Sequence, residues 1–296
     1  MSTGAGNNQK KQRATWSVGA ATGSPPLVSS AARRYAPRMR VLLPVLLLTA
    51  CRPPPEAPED LNDLAAYLYA HAWDEDPEAL VVGLEQLTTW LEAHQEEAYE
   101  GYAVRALSEE TVDALDEQDR TTTDMVGLSL TRLSHHPIED STWALVAVDQ
   151  DTIYPDTFAD YAREYLSGPD CFVAQTCARM EAIEELHSTF ALGLETWSTA
   201  HNQYVWAELE GGSAMVHRNW QIDPPETNSD LMKVDEQAYL NLFVPGSAGA
   251  WRLQAQWTVY SDENGTPEEL AKNLVLDFLE SCHDELEAWL DEHEAP

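Results

Sequence analysis

The chain has 296 residues, enough for one or two domains. It is 44% hydrophobic but carries 51 acids against 17 Lys and Arg, a net charge of −34. Residues 1–50 hold seven bases (Lys10, Lys11, Arg13, Arg33, Arg34, Arg38, Arg40) and no acid, so beyond them ten bases face all 51 acids, a net of −41. Such a body repels nucleic acid, whose recognition needs a basic footprint, and is poorly drawn to anionic lipid headgroups; its charge suits solubility and a cationic partner.

Residues 1–38 are rich in Ser, Gly and Ala and read as an extension outside the fold, with Met39 as the expected start. Arg33-Arg34 is followed by Tyr35-Ala36-Pro37, a poor fit to a twin-arginine signal. The stretch 39–50 reads as a signal peptide. Arg40 precedes the apolar run VLLPVLLLTA, which is too short for a span of ~20 residues and is interrupted by Pro44. It closes on Leu48-Thr49-Ala50-Cys51, and these four residues resemble the lipobox of bacterial lipoproteins. The resemblance implies cleavage before Cys51, a lipid (palmitate among its acyl chains) on the Cys51 sulfur, and a place in the cell envelope with the membrane as partner. Arg52 stands where that family uses Asp for inner-membrane retention, which leans toward the outer membrane. Residues 51–60 then read as a tether: the Pro-rich run favours extended polyproline II and sets the domain roughly 25–30 Å off the bilayer.

Residues 61–120 read as an acidic helical region. Leu61, Leu64, Ala65, Leu68 and Ala72 follow helical spacing, and a second helix opens on Asp76-Pro77 as cap and first position, with Leu80, Val81, Leu84, Leu87, Trp90 and Leu91 as its stripe. Ser108 caps a further acidic helix over 108–119. Residues 121–296 read as an α+β domain. "MVGLSLTRLS" alternates like a strand. "PIEDSTWALVAVD" fits a helix, though "WALVAV" alone fits a strand equally well. "YPDTFADYAREYL", with Phe158, Tyr161, Ala162 and Tyr165 aligned, is expected to be helical, as is "CFVAQTCARMEAIEELHSTF". Strands follow: a hairpin around Gly211-Gly212, then "AYLNLFV", then "WRLQAQWTVY", whose Trp251, Leu253, Ala255, Trp257 and Val259 share one face. The last helix opens on a capping box, Thr266-Pro267-Glu268-Glu269, and carries an apolar stripe from Ala271 to Leu290 that must lie against the sheet.

The expected fold is therefore α+β: N-terminal helices, then an antiparallel sheet packed on a long C-terminal helix. This order resembles the helix-grip arrangement of START-like ligand carriers, in which a curved sheet wraps the last helix around an apolar cavity. The resemblance implies an apolar ligand, with Trp206, Trp257 and Phe278 as expected lining residues.

Other chemistry is sparse. In one uninterrupted helix the Cα atoms of Cys171 and Cys177 would be ~9 Å apart, beyond the ~7 Å reach of a disulfide. If Cys171 precedes the helix, a bridge between them forms, and a bridge from Cys282 to either is the alternative. His135-His136 before Pro137 suggests a loop. His283, Glu287 and Asp291 share a helix face that reads as solvated. Asp149-Gln150-Asp151 and Asp262-Glu263-Asn264-Gly265 carry oxygens that calcium favours but complete no EF-hand. His217 and Arg218 fall on opposite faces of one strand. G-x-S-x-G, H-E-x-x-H, P-loop and G-x-G-x-x-G signatures are all missing, and no cofactor or metal is implied. The sequence thus reads as an envelope lipoprotein with a binding or structural domain and not a catalytic one. The alternatives are a START-like carrier of an apolar ligand and an envelope hydrolase with unrecognised acids.

Overall fold

The computed structural model describes residues 54–116, 120–190, 193–228, 233–247, 249–261, 268–293 and 295. The signal-like stretch, Cys51, the acidic turn 262–265 and Thr266-Pro267 of the capping box lie outside the described residues. Residues 52–296 belong to one compact unit.

Helix α1 (Leu61–His71) starts where Asp60 Oδ1 accepts from the Asn62 amide at 2.8 Å. Helix α2 (Glu78–Ala93) starts where Asp76 Oδ1 accepts from the Glu78 amide at 3.1 Å. Each carboxylate satisfies an amide that the first helical turn leaves without a partner. A short α3 (Gln95–Tyr99) leads into strand β1 (Tyr102–Val104). Ser108 caps α4, which spans only Glu109–Asp113.

Strand β2 (Val126–Ser134) is followed by α5 (Ile138–Val146) and α6 (Gln150–Ile153), then β3 (Phe158–Tyr165), α7 (Pro169–Val173) and β4 (Arg179–Thr189). Strands β5 (Glu195–Leu209) and β6 (Gly212–Gln221) form the hairpin at Gly211-Gly212. Then come β7 (Glu226–Thr227), β8 (Lys233–Gly246), β9 (Gly249–Ser261) and α8 (Glu268–Glu292). All pairings are antiparallel, in the spatial order β1-β2-β9-β8-β6-β5-β4-β3, with β7 beside β5. The strand before the two helices thus pairs with the last strand, and α8 returns across the sheet. This is the helix-grip topology, with β1 added at one edge.

The sheet has two unlike faces. On the outer face Trp251, Leu253, Ala255 and Trp257 of β9 join Leu240, Leu242 and Val244 of β8 and Val205 and Val216 of the hairpin. They pack against Leu64, Leu68, Leu84, Leu87 and Leu91 of α1 and α2. Each such leucine, fully buried, contributes about 1.5–3 kcal/mol. On the inner face α8 packs Val275 and Leu279 on Leu128 and Leu130 of β2, and its Leu286 and Leu290 join Ala144 and Leu145 of α5.

Carboxylates fasten α8 in place. Glu280 pairs with Arg132 at 2.7 Å, Glu287 accepts from Ser134 Oγ at 2.6 Å and the His135 amide at 3.2 Å, and Asp291 meets His136 at 3.3 Å. Glu285 accepts from the Asp156 amide (3.0 Å), Thr157 Oγ1 (2.7 Å) and Ser281 Oγ (2.6 Å). On the face of His283, Glu287 and Asp291, Glu287 therefore forms a seam with the β2–α5 connection and His283 is buried, while Asp291 stays solvated at 77% side-chain exposure.

Two expected helices are strands. Residues 158–165 and most of 171–190 form β3 and β4, paired with Arg163 directly opposite Glu184. Both charged side chains lie in the buried row, at 3% and 5% side-chain exposure. A period-two reading breaks when Arg and Glu are counted as polar. What remains, Phe158, Tyr161, Ala162 and Tyr165, matches helical spacing by coincidence.

Candidate ligand-binding site

The sheet's inner face is polar where its outer face is apolar. Residues at alternate positions point inward: Asn202 and Tyr204 on β5; His217, Asn219 and Gln221 on β6; Gln237, Tyr239 and Asn241 on β8; Arg252, Gln254 and Gln256 on β9. Between this face and α8 lies a cavity of about 110 Å³. Leu145 of α5, Tyr154, Phe158, Leu186, Phe190 and Phe278 give it apolar walls, and the strand residues give it a polar floor. A groove of about 310 Å³ between Asp156-Thr157, Thr189 and α8 adjoins it, and Phe190 and Phe278 line both spaces.

One end of the floor is an ion pair. Arg163 Nη2 meets Glu184 Oε1 at 2.5 Å and Nε donates to the same oxygen at 2.9 Å. Arg163 Nη1 donates to the carbonyls of Leu145 and Ala147, at 2.8 and 2.9 Å, and the Tyr204 hydroxyl donates to Glu184 Oε1 at 3.3 Å. The guanidinium thereby ties α5 to the sheet.

His217 stacks on Tyr204 with ring centroids 4.2 Å apart and planes within 5°. Its Nε2 donates to Asn202 Oδ1 at 2.7 Å, which leaves Nδ1 as a buried acceptor without a partner. Burial first, then the charges of Arg163 and Arg252, hold its pKa well below the usual histidine value, so the ring is neutral.

At the other end Arg252 is 1% exposed. Its Nε donates to Asn241 Oδ1 at 3.0 Å and its Nη1 to the Cys282 carbonyl of α8 at 2.9 Å. The Tyr239 hydroxyl donates to Gln254 Oε1 at 2.7 Å, and Gln254 Nε2 donates to the Leu279 carbonyl at 2.7 Å. Burial raises the pKa of the Cys282 thiol to about 12. Among the described residues no group of three His, Cys, Asp or Glu could hold a metal ion, and no helix is long and apolar enough to cross a membrane.

The three expected lining residues occupy three different places. Phe278 lines the cavity at its mouth. Trp206 shares the inner face but packs under α7, donating Nε1 to the Phe172 carbonyl at 2.9 Å. Trp257 lies on the outer face, edge-on to Tyr69, with Nε1 donating to the Arg105 carbonyl at 2.7 Å. The apolar row of β9 meets α1 and α2, so its tryptophan cannot reach the cavity. Cys171 and Cys177 are bridged, with Cα atoms 5.3 Å apart. Here α7 ends at Val173 and the chain turns through Gln175 at φ 53°, so the Cys177 amide bonds back to the Cys171 carbonyl. Cys282 is a free, buried thiol.

Arg163, Glu184, Tyr204 and Arg252 are not singled out by any motif in the sequence, and His217 is legible there only as one face of a strand. A signal for them exists. A strand face open to water in so acidic a chain should carry Asp and Glu, yet the inward rows of β6, β8 and β9 hold six amides, one Tyr, one His and one Arg.

No protein-family model matches the chain, and no curated protein matches it. Similar solved structures are START-like and cyclase-like helix-grip folds. A STAR-related lipid transfer protein fragment from Xanthomonas axonopodis is 13% identical, with TM-score 0.39, over 56% of this chain and 85% of that one. The Zhui aromatase/cyclase from a Streptomyces species is 15% identical, with TM-score 0.36, over 57% and 93%. A START superfamily protein from Mycobacterium smegmatis is 11% identical, with TM-score 0.33, over 57% and 97%. Identities and scores this low concern shape alone.

Proposed function

We propose that this chain is a ligand-binding protein of the bacterial envelope, holding a small organic molecule between its sheet and α8 and tethered through a lipid on Cys51. The observation that carries the binding reading is the state of the cavity wall. His217 Nδ1, Gln221 Oε1 and Gln256 Oε1 are buried without a partner, and all three residues line this one cavity, where the buried Tyr154 and Tyr161 hydroxyls reach only Arg252 and Glu184. Each such group costs about 1–3 kcal/mol, whereas a cavity that is a mere packing defect is apolar and dry. A ligand with an apolar body and polar substituents satisfies both walls. The volume argues for a compact one: about 110 Å³ is less than the roughly 150 Å³ of a cavity that accepts benzene, so the cavity takes at most a single ring or a short branched chain, with any remainder of the ligand in the adjoining groove. The ionisable groups favour binding over hydrolysis, since His217 is held neutral without a nucleophile beside it and the Cys282 thiol is pushed up.

The test uses the full chain and benzyl alcohol as probe, by calorimetry and thermal shift. Saturable one-to-one binding is expected, and it should vanish in Ala200→Phe, which fills the void from the cavity wall. Absence of binding to the wild type, or undiminished binding to a folded Ala200→Phe, sinks the reading. The tether rests on the order of Arg40, the apolar run, Leu-Thr-Ala-Cys and the prolines after it. Mass spectrometry of the protein from a bacterial host should find Cys51 as a diacylglyceryl-modified first residue; an unmodified Cys51 within an intact chain refutes it.

A further inference from the structure

The two arginines of the cavity are compensated differently. Arg163 has its carboxylate in Glu184, and the pair cancels. Arg252, at 1% exposure, has none: among the described residues it makes no ion pair, and both acceptors of its hydrogen bonds, Asn241 Oδ1 and the Cys282 carbonyl, are neutral. The acid on α8 beside this end, Glu285, turns its oxygens to the Asp156 amide, Thr157 and Ser281 and makes no ion pair with the guanidinium. The histidines nearby add no positive charge of their own, since burial and Arg252 itself hold His217 and His283 neutral. Among the charged residues that line the cavity of this strongly acidic protein, Arg163, Glu184 and Arg252, positive charge thus exceeds negative by one. A buried charge without a partner is among the costliest features a fold can carry, and this one stands in the wall of a cavity. The buried Tyr154 hydroxyl lies against it and reaches no other partner.

We infer that the ligand is a monoanion, a compact carboxylic acid whose carboxylate sits between the Arg252 guanidinium and the Tyr154 hydroxyl while its apolar body lies against Phe278 and Leu145. This rests on the cavity being a ligand site, and it adds the ligand's charge and polarity. A guanidinium presents a planar fork of donors matched to a carboxylate, and the phenol supplies one more donor. The carboxylate can come from a small aromatic acid or from the head of a fatty acid, and the volume favours the first.

The experiment compares benzoate, benzyl alcohol and laurate at pH 7 by calorimetry on the full chain. Benzoate is expected to bind the wild type about tenfold or more tightly than benzyl alcohol, the difference a charged hydrogen bond makes. Arg252→Gln should erase that preference and Arg252→Lys should retain part of it. Equal affinities for benzoate and benzyl alcohol on the wild type overturn the inference without any variant, as does a folded Arg252→Gln that keeps the preference. Laurate binding more tightly than benzoate, with the same dependence on Arg252, assigns the carboxylate to a long-chain acid. If benzyl alcohol binds and neither acid does, only this inference fails; if none of the three binds, the ligand site itself fails with it.

Discussion

The rings of Phe190 and Phe278 stack with centroids 5.2 Å apart at the boundary between the inner cavity and the groove beside α8. One ring comes from the end of β4 and the other from α8, so the boundary is closed by a contact between two elements and not by covalent chain. Phe278→Ala is expected to cost about 1–3 kcal/mol, a stacked pair and part of a half-buried ring. It should also speed probe entry and exit. Line-shape analysis of a benzyl alcohol titration by NMR reads the exchange rate; an unchanged rate in a folded variant removes the gating role.

Arg163 and Glu184 face each other across β3 and β4 in the buried row. Glu184→Gln leaves a buried guanidinium without its counter-charge and is expected to destabilise the fold by about 3–5 kcal/mol. The double replacement Arg163→Met with Glu184→Leu should cost less than Glu184→Gln alone, because no uncompensated charge remains. Urea denaturation of the three proteins measures this, and a double variant weaker than the single one contradicts it.

His283 is buried, and desolvation together with Arg252, Arg132 and His135 lowers its pKa to about 3; that of His217 is lowered in the same direction. Both rings are neutral when folded, while in the unfolded chain each takes a proton near pH 6.5. The unfolded state therefore binds more protons below that pH. The contribution is complete above pH 6.5 and falls by up to about 1.4 kcal/mol per unit per histidine as pH drops toward the folded value. Denaturation midpoints at pH 7.5 and 4.5 should show this loss, and His283→Gln should flatten it. An identical pH slope in that variant excludes His283 as a source.

The cysteines should separate by reactivity. Cys282, buried with its thiol pKa raised to about 12, should resist iodoacetamide in the native protein and react once unfolded. Reduction of Cys171–Cys177, which closes a loop of sequence separation 6, should cost about 2 kcal/mol on the loop-entropy relation. Thiol titration with mass mapping, before and after reduction, tests both; alkylation of Cys282 in the folded state contradicts its burial.

Much of the architecture is written in local patterns. The caps at Asp60 and Ser108, the Asp76–Glu78 bond just before α2, whose N-cap is Pro77, the hairpin at Gly211-Gly212, the alternation of β9 and the stripe of α8 are each set by residues within a turn or two of one another. Strands β3 and β4 were hidden because their buried row contains charges that only each other can neutralise. That pairing joins residues 21 apart and has no signature in either segment taken alone. The five residues that define the cavity were hidden for a related reason: a polar side chain on a strand is read as solvent-facing until something is known to cover it.

By itself the sequence determined the sign and size of the charge, the two faces of each amphipathic strand and the length of the final helix. Composition and periodicity carry that information directly. Only the tertiary structure decided which helical layer takes which face. Alternation separates Trp257 from Gln256 on β9 but does not say that α1 and α2 will claim the tryptophan and α8 the glutamine. That choice depends on the path of the chain around the sheet, with residues 61–93 arriving on one side and 268–292 returning on the other. The final helix is left facing a polar wall that it cannot fill, and the cavity with its unpaired Arg252 follows from that mismatch.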